Sequence, residues 1–254
     1  MAVAGGVPNE PAPGEAQAAA LLGQVAESGR VQLTVLTREE LAALGSLDAC
    51  VLQDEVELGW WNGLAPDVRR GVTVTALRGL IARGLLDPHA IRTSDSDDAV
   101  EVHAAPHLAF ALLGRRQTDA VVAGSEPAER RIGSLRLYRM VGDSDVRPLF
   151  LLETVKDSSL HHFRLCNGPG AAAELASWAL AQPQEDPGAR ERVPRLLEVI
   201  LVGADQPRVA RVELSVESDS SIVVEAMQEG SRTRERKTLE EARSWLSSLL
   251  NSLP

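Results

Sequence analysis

From Gly133 onward the sequence reads as one supersecondary pattern written twice, and this repetition limits its folds more than any other feature. The first pass contains the apolar run Leu135-Arg-Leu-Tyr-Arg-Met-Val-Gly142, a second run Leu149-Phe-Leu-Leu-Glu-Thr-Val155 and the turn Asp157-Ser-Ser159. It closes with a third run, Leu160-His-His-Phe-Arg-Leu-Cys166, and a helical segment around Ala176-Ser-Trp-Ala-Leu180. The second pass follows the same order: Leu196 to Gly203, Val209 to Val216, Asp219-Ser-Ser221, Ile222 to Met227 and Arg243-Ser-Trp-Leu-Ser247. Each pass predicts a β-β-β-α unit, in copies 133–181 and 196–254. Two copies are too few for an open solenoid, which needs about three to bury its faces. The expectation is therefore an α+β fold. It has a central, mostly antiparallel sheet built from the duplicated unit, a pseudo-two-fold between the copies, and flanking helices at 171–181 and 239–250.

The chain before the repeat divides less sharply. Residues 1 to about 15 are Ala, Gly, Pro and Glu without periodicity, the composition of an arm that cannot repay its own ordering. With a short helix over Ala16 to Ala26 they form an N-terminal piece, 1–28, and 29–132 is read as an α/β part continuous with 133–254. Val31 to Leu36 alternates as a strand. Thr37-Arg-Glu-Glu40 is a capping box that starts a helix at Arg38 running to about Leu44. Leu47 to Leu58 is apolar with interspersed acids and closes at a turn, Trp60-Trp61-Asn-Gly63. Leu77, Leu80, Ile81 and Leu85 mark an amphipathic helix over Val74 to Leu85, capped by Thr73 or Thr75. Asp95-Ser-Asp-Asp98 reads as an acidic turn before a strand, Val100 to His103. Pro106 to Leu113 predicts a helix, Thr118 to Ala123 a strand, and Gly124 to Arg131 a polar, Pro-broken loop. Thr238-Leu-Glu-Glu241 is a second capping box, opening a final helix with Leu239, Ala242, Leu246 and Leu249 on one stripe.

Composition bounds the function. The formal charge of −10 and the small number of lysines, Lys156 and Lys237 alone, weigh against nucleic acid, whose phosphates need clustered cations. Cys50 and Cys166 sit in unrelated contexts, so neither a disulfide framework nor a zinc site is implied, and a reducing cytoplasm is the simplest setting. No run reaches the roughly 18 to 20 apolar residues of a membrane span, and no basic and apolar leader opens the chain.

The residues that do chemistry elsewhere are few and poorly spaced here. His161 and His162 are adjacent in a predicted strand and point to opposite faces, so they cannot share a metal or a proton. Cys166-Asn-Gly-Pro-Gly170 precedes a helix and could offer amides to an anion, although Asn-Gly is equally an ordinary turn. Hydrolase, zinc-protease, phosphate-loop and dinucleotide fingerprints are absent. The reading is a protein without catalytic, metal or cofactor residues that binds another protein. The candidate contacts are Ser125, Glu126, Glu129, Arg130 and Arg131 in the polar loop, with Trp60 and Trp61 as aromatic anchors.

Three stretches carry a family likeness: Ala76-Leu-Arg-Gly-Leu-Ile-Ala-Arg-Gly-Leu85, then Val102-His-Ala-Ala-Pro-His-Leu108 leading into a strand, and Ala242-Arg-Ser-Trp-Leu246 closing the paired units. From about Leu33 to Leu253 the chain resembles the EspG-type chaperones of actinobacterial type VII (ESX) secretion. The resemblance implies a non-enzymatic cytoplasmic adaptor that holds an aggregation-prone, helical secretion substrate. A winged-helix regulator is the alternative, with helices near 38–44 and 74–85. About 27 residues lie between those two helices, where a helix-turn-helix takes 3 or 4.

Overall fold

A computed structural model describes residues 13–47, 55–87, 103–125, 135–140, 147–156, 160–181, 194–202, 208–217, 221–228 and 231–253. Both capping boxes form as their side chains require. Thr37 accepts from the Glu40 amide at 3.2 Å while Glu40 accepts from the Thr37 amide at 3.0 Å, opening helix α2, Arg38–Ala43. Thr238 and Glu241 repeat the exchange at 3.2 and 2.7 Å at the start of α7, Leu239–Asn251. Helix α1 is Pro13–Ser28, so the predicted N-terminal helix begins earlier than Ala16, and its Leu21 and Val25 are buried.

Two expected helix boundaries are wrong. The Trp60 to Gly63 stretch is not a turn but the last part of α3, Glu55–Gly63. Helix α4 is Pro66–Ala82, with Pro66 in its first turn, so Thr73 and Thr75 lie inside the helix rather than capping it. Proline suits that start because the first amides of a helix have no intrahelical acceptor to lose. Gly84, at φ 67, follows where a left-handed residue ends the run. Helix α5 is Pro106–Arg116 and α6 is Gly168–Ala179.

Nine strands form one antiparallel sheet. They are β1 Arg30–Thr37, β2 Thr118–Ser125, β3 Leu135–Met140, β4 Leu149–Lys156, β5 Leu160–Asn167, β6 Arg195–Leu201, β7 Arg208–Val216, β8 Ile222–Gln228 and β9 Ser231–Lys237. Their spatial order is β1-β5-β4-β3-β2-β6-β7-β8-β9. Strand β2 is thus the middle of the sheet, and each repeat half leads away from it by successive hairpins. The fold class expected from the sequence, α+β with an antiparallel sheet flanked by helices, is what the chain adopts.

The expected duplication does not extend to the helices. The second half contains a fourth strand, β9, so its pattern is β-β-β-β-α. β3 and β6 are both antiparallel to β2 and therefore parallel to each other. The rotation that carries β3-β4-β5 onto β6-β7-β8 lies along β2 and turns the sheet over, which would put α6 and α7 on opposite faces. Instead they pack together on the same face, sharing one core. Strand β9 returns the chain to the other end of the sheet before α7 begins. Trp178 and Trp245, from the two repeat helices, are both half-buried at the margin of that core.

Strand alternation sorts the side chains into two cores. On one face, Val122, Leu137, Phe150, Leu152, Leu197, Val212 and Val224 lie beneath α6 and α7. A close approach fixes this layer: a Cβ on Gly124 would come within 2.5 Å of the Trp178 ring, so only glycine lets the indole lie on β2. On the other face, Val121, Tyr138, Leu151, Phe163 and Leu165 pack against Leu21, Leu41, Leu80, Leu108 and Ala111 from α1, α2, α4 and α5. This second core runs from β1 to β2 and ends at the half-buried Ile200 of β6.

Candidate functional site

The largest concentration of buried charge in the described residues lies beneath α3 and α5. Glu153 of β4 is fully buried and stands directly opposite Arg136 of β3, with an Nη1 to Oε1 distance of 3.6 Å. Arg115 of α5 approaches its Oε2 at 3.3 Å, and the Tyr138 hydroxyl donates to the same oxygen at 2.7 Å. His161 of β5 lies 2.6 Å from Glu153 through Nδ1 and 3.0 Å from Glu57 of α3 through Nε2. Arg115 also donates to the carbonyl of Ser46 at 2.9 Å, drawing the end of the α2 segment into the network.

The charges follow from this geometry. Burial opposes ionisation of Glu153, but Arg115, Arg136 and the His161 bond outweigh it and hold the carboxyl far below the usual range. Burial likewise opposes charge on His161, yet its bonds to Glu153 and Glu57 and their negative charges raise it to about 9. The imidazole is therefore protonated at neutral pH, and both ring nitrogens donate. Each of Arg115, Arg136, Glu153 and His161 is no more than 1% exposed. Such a cluster ties α3 and α5 to the sheet. His162, on the opposite face of β5, takes no part, as alternation requires.

Asn167 caps α6 with its own side chain, accepting from the Gly170 amide at 2.9 Å, so the suggested anion cradle is already occupied by the chain. Burial pushes the Cys166 thiol up to about 11, against the pull of Arg164 and Arg30, which leaves it a neutral core residue. Among the described residues, no group of three or more His, Cys, Asp or Glu converges to hold a metal ion. Among them, too, no helix is long and apolar enough to cross a membrane.

Beyond Ile200 the second face of the sheet has no helix packed on it among the described residues. Four strands present that face: Glu198 and Ile200 from β6, Val209, Arg211 and Glu213 from β7, Val223, Glu225 and Met227 from β8, and Arg232, Arg234 and Arg236 from β9. Register places Glu198, Arg211, Met227 and Arg232 in one row across it. Arg211 pairs with Glu198 at 2.8 Å, and Arg232 pairs with Glu225. Met227, 39% exposed, lies between these ion pairs, and Val209, 50% exposed, lies beyond Arg211 at the start of β7. Apolar groups exposed beside charges on an uncovered sheet face can bury surface against a protein.

Of the expected contact residues, Ser125, Trp60 and Trp61 fall among the described residues. Ser125 ends β2 opposite Leu196 of β6, at the border of the open face. Glu126, Glu129, Arg130 and Arg131 lie outside the described residues, as do the Asp95 to Asp98 turn and Cys50. Trp60 and Trp61 belong to α3, whose Glu57 reaches β5, three strands from β2. Their rings are 5.9 Å apart at 44°, both half-buried against the helical core, and Arg38 lies 4.1 Å over Trp60. They are a core margin, which helical spacing of adjacent residues allows when the rings pack on each other. A separate groove of about 610 Å³ runs between α2 and α4, lined by Thr37, Glu40, Val68, Val72 and Thr75. The residues missed by sequence reasoning are Glu57, Arg115, Arg136 and Glu153. Their signal was charge at inward positions of otherwise apolar runs, where a charge requires a partner.

Compared with known protein families and with curated proteins, the sequence matches none.

Proposed function

We propose that this protein is a non-enzymatic adaptor that holds a protein client on the open sheet face of β6 to β9, bordered by Ser125. The observation that carries this reading is the face itself, a four-stranded surface with Met227 exposed between two ion pairs, Val209 exposed beside them and no helix described upon it. The burial of the Glu153 ionic cluster supports it, since those groups serve the fold. In the setting implied by the family resemblance, the client is a helical type VII secretion substrate and the compartment is the cytoplasm.

The test is client capture in the native host by the tagged protein and by a Val209→Glu, Met227→Glu variant. We expect the variant to lose a client that the parent retains, with an unchanged melting curve. Equal retention by both would remove the face from the reading. Duplex DNA at physiological salt should show no tight binding, because the chain's acids outnumber its bases, 36 to 26. Tight, salt-sensitive binding abolished by Arg78→Glu would favour the winged-helix alternative.

A further inference from the structure

We infer that the outer edge of β9 accepts an extended acidic segment of a partner protein as an added strand. This rests on the adaptor reading only in taking the partner to be a protein. Strand β9 is last in the sheet order, and among the described residues no strand pairs with its outer side. Its exposure pattern shows every residue from Ser231 to Arg236 exposed. One row of its amides and carbonyls therefore faces outward, available to a further strand.

The side chains of β9 restrict which strand can pair there. Four of its seven residues are basic in a chain whose acids exceed its bases. Register against Met227, Glu225 and Val223 puts Arg232, Arg234 and Arg236 together on the open face. Alternate residues of a strand repeat at about 6.8 Å, so the three guanidinium groups form a row matching carboxylates at alternate positions of an incoming strand. Arg232 remains 70% exposed while paired with Glu225, so it can serve an added carboxylate as well. On the other face, Lys237 pairs with Glu235 on the same strand, leaving that side near neutral.

The same row excludes self-association. Two β9 edges meeting antiparallel about Arg234 would set Arg232 against Arg236 and Arg234 against itself, and like charges directly opposite are unfavourable. A charged edge is usually a guard against any pairing. Here the guard has one sign, which rejects copies of itself and admits an acidic strand.

The experiment uses fluorescein-labelled Thr-Glu-Val-Glu-Val-Glu-Thr titrated into the full chain and followed by anisotropy. Its controls are the same peptide with Lys for Glu and the acidic peptide N-methylated at alternate amides. We expect saturable micromolar binding of the acidic peptide and a loss of about tenfold or more for each control. Replacing Arg232, Arg234 and Arg236 by Glu should reverse the preference to the Lys peptide; if that variant has an altered circular dichroism spectrum, Arg234→Gln should still weaken the acidic peptide. Absence of binding, equal binding of the acidic and Lys peptides, or indifference to N-methylation would overturn the inference. If the triple Glu variant still captures its client while the parent ignores the acidic peptide, the edge inference falls and the adaptor reading stands. Loss of client capture in the Val209→Glu, Met227→Glu variant bears on the adaptor reading alone.

Discussion

The two halves of the sheet use similar strands in opposite circumstances. From β1 to β3, helices pack on both faces, and the charges beneath α3 and α5 are removed from water. From β6 to β9 helices cover only one face among the described residues, and the arginines Arg211 and Arg232 on the other remain largely exposed. Arg136 opposite Glu153 and Arg211 opposite Glu198 are both cross-strand pairs of opposite sign. The first is no more than 1% exposed, whereas Arg211 is 59% exposed. Burial, not pairing, decides what each is worth: a broken buried pair leaves an uncompensated charge, while a broken surface pair leaves a hydrated one.

That contrast can be broken most forcefully at Glu153. Glu153→Gln should destabilise the protein by about 3 to 5 kcal/mol, because Arg115, Arg136 and His161 lose their shared counter-charge. Chemical denaturation measures it. Glu198→Gln, the matching change on the open half, should cost under about 1 kcal/mol. Similar losses at the two sites would mean that the halves do not differ as their burial implies.

Alkaline pH sharpens the same comparison. His161 has a folded value of about 9 against an ordinary 6.5, so its stabilising charge is fully present below about pH 6.5 and is lost as pH rises through 9. The total effect is on the order of 3 kcal/mol or less. His161→Gln should flatten this alkaline decline, and no comparable slope should come from the open half. Stability measured from pH 6 to 10 in both proteins checks the sign.

Smaller effects test the shared face. Gly124→Ala should cost about 1 to 3 kcal/mol by forcing the Trp178 ring off β2, with a change in indole fluorescence. Thr238→Ala removes the acceptor for the Glu241 amide and should cost about 1 kcal/mol in thermal unfolding.

Sequence patterning reached the elements with strong local rules. The Thr37 and Thr238 capping boxes, the strand run of β1 and the Pro start of α5 are short-range chemistry and are found in place. Strand β9 was not legible. Ser231-Arg-Thr-Arg-Glu-Arg-Lys237 has no apolar face because the strand is an edge exposed on both sides, and periodicity detects only a buried side. Missing it also concealed that four strands, not three, precede the helix of the second half. The ionic cluster was hidden for a different reason. Glu57 and His161 are far apart in sequence and meet only through the packing of α3 on β5. Arg136 and Glu153 were closer to hand, since a hairpin register between their runs sets them opposite one another.

The central place of β2 has a consequence during synthesis. Its partner on one side, β3, follows within a few residues, but its partner on the other, β6, arrives roughly 70 residues later, given the Ser125 to Leu196 pairing. At about 5 to 20 residues per second, the ribosome takes about 4 to 14 s to supply that second neighbour. For that interval the nascent chain carries Ala120-Val-Val-Ala123, the apolar centre of the finished sheet, as an uncovered edge. The strand that joins the two halves of the mature molecule is thus the segment that makes the half-made one most prone to aggregate.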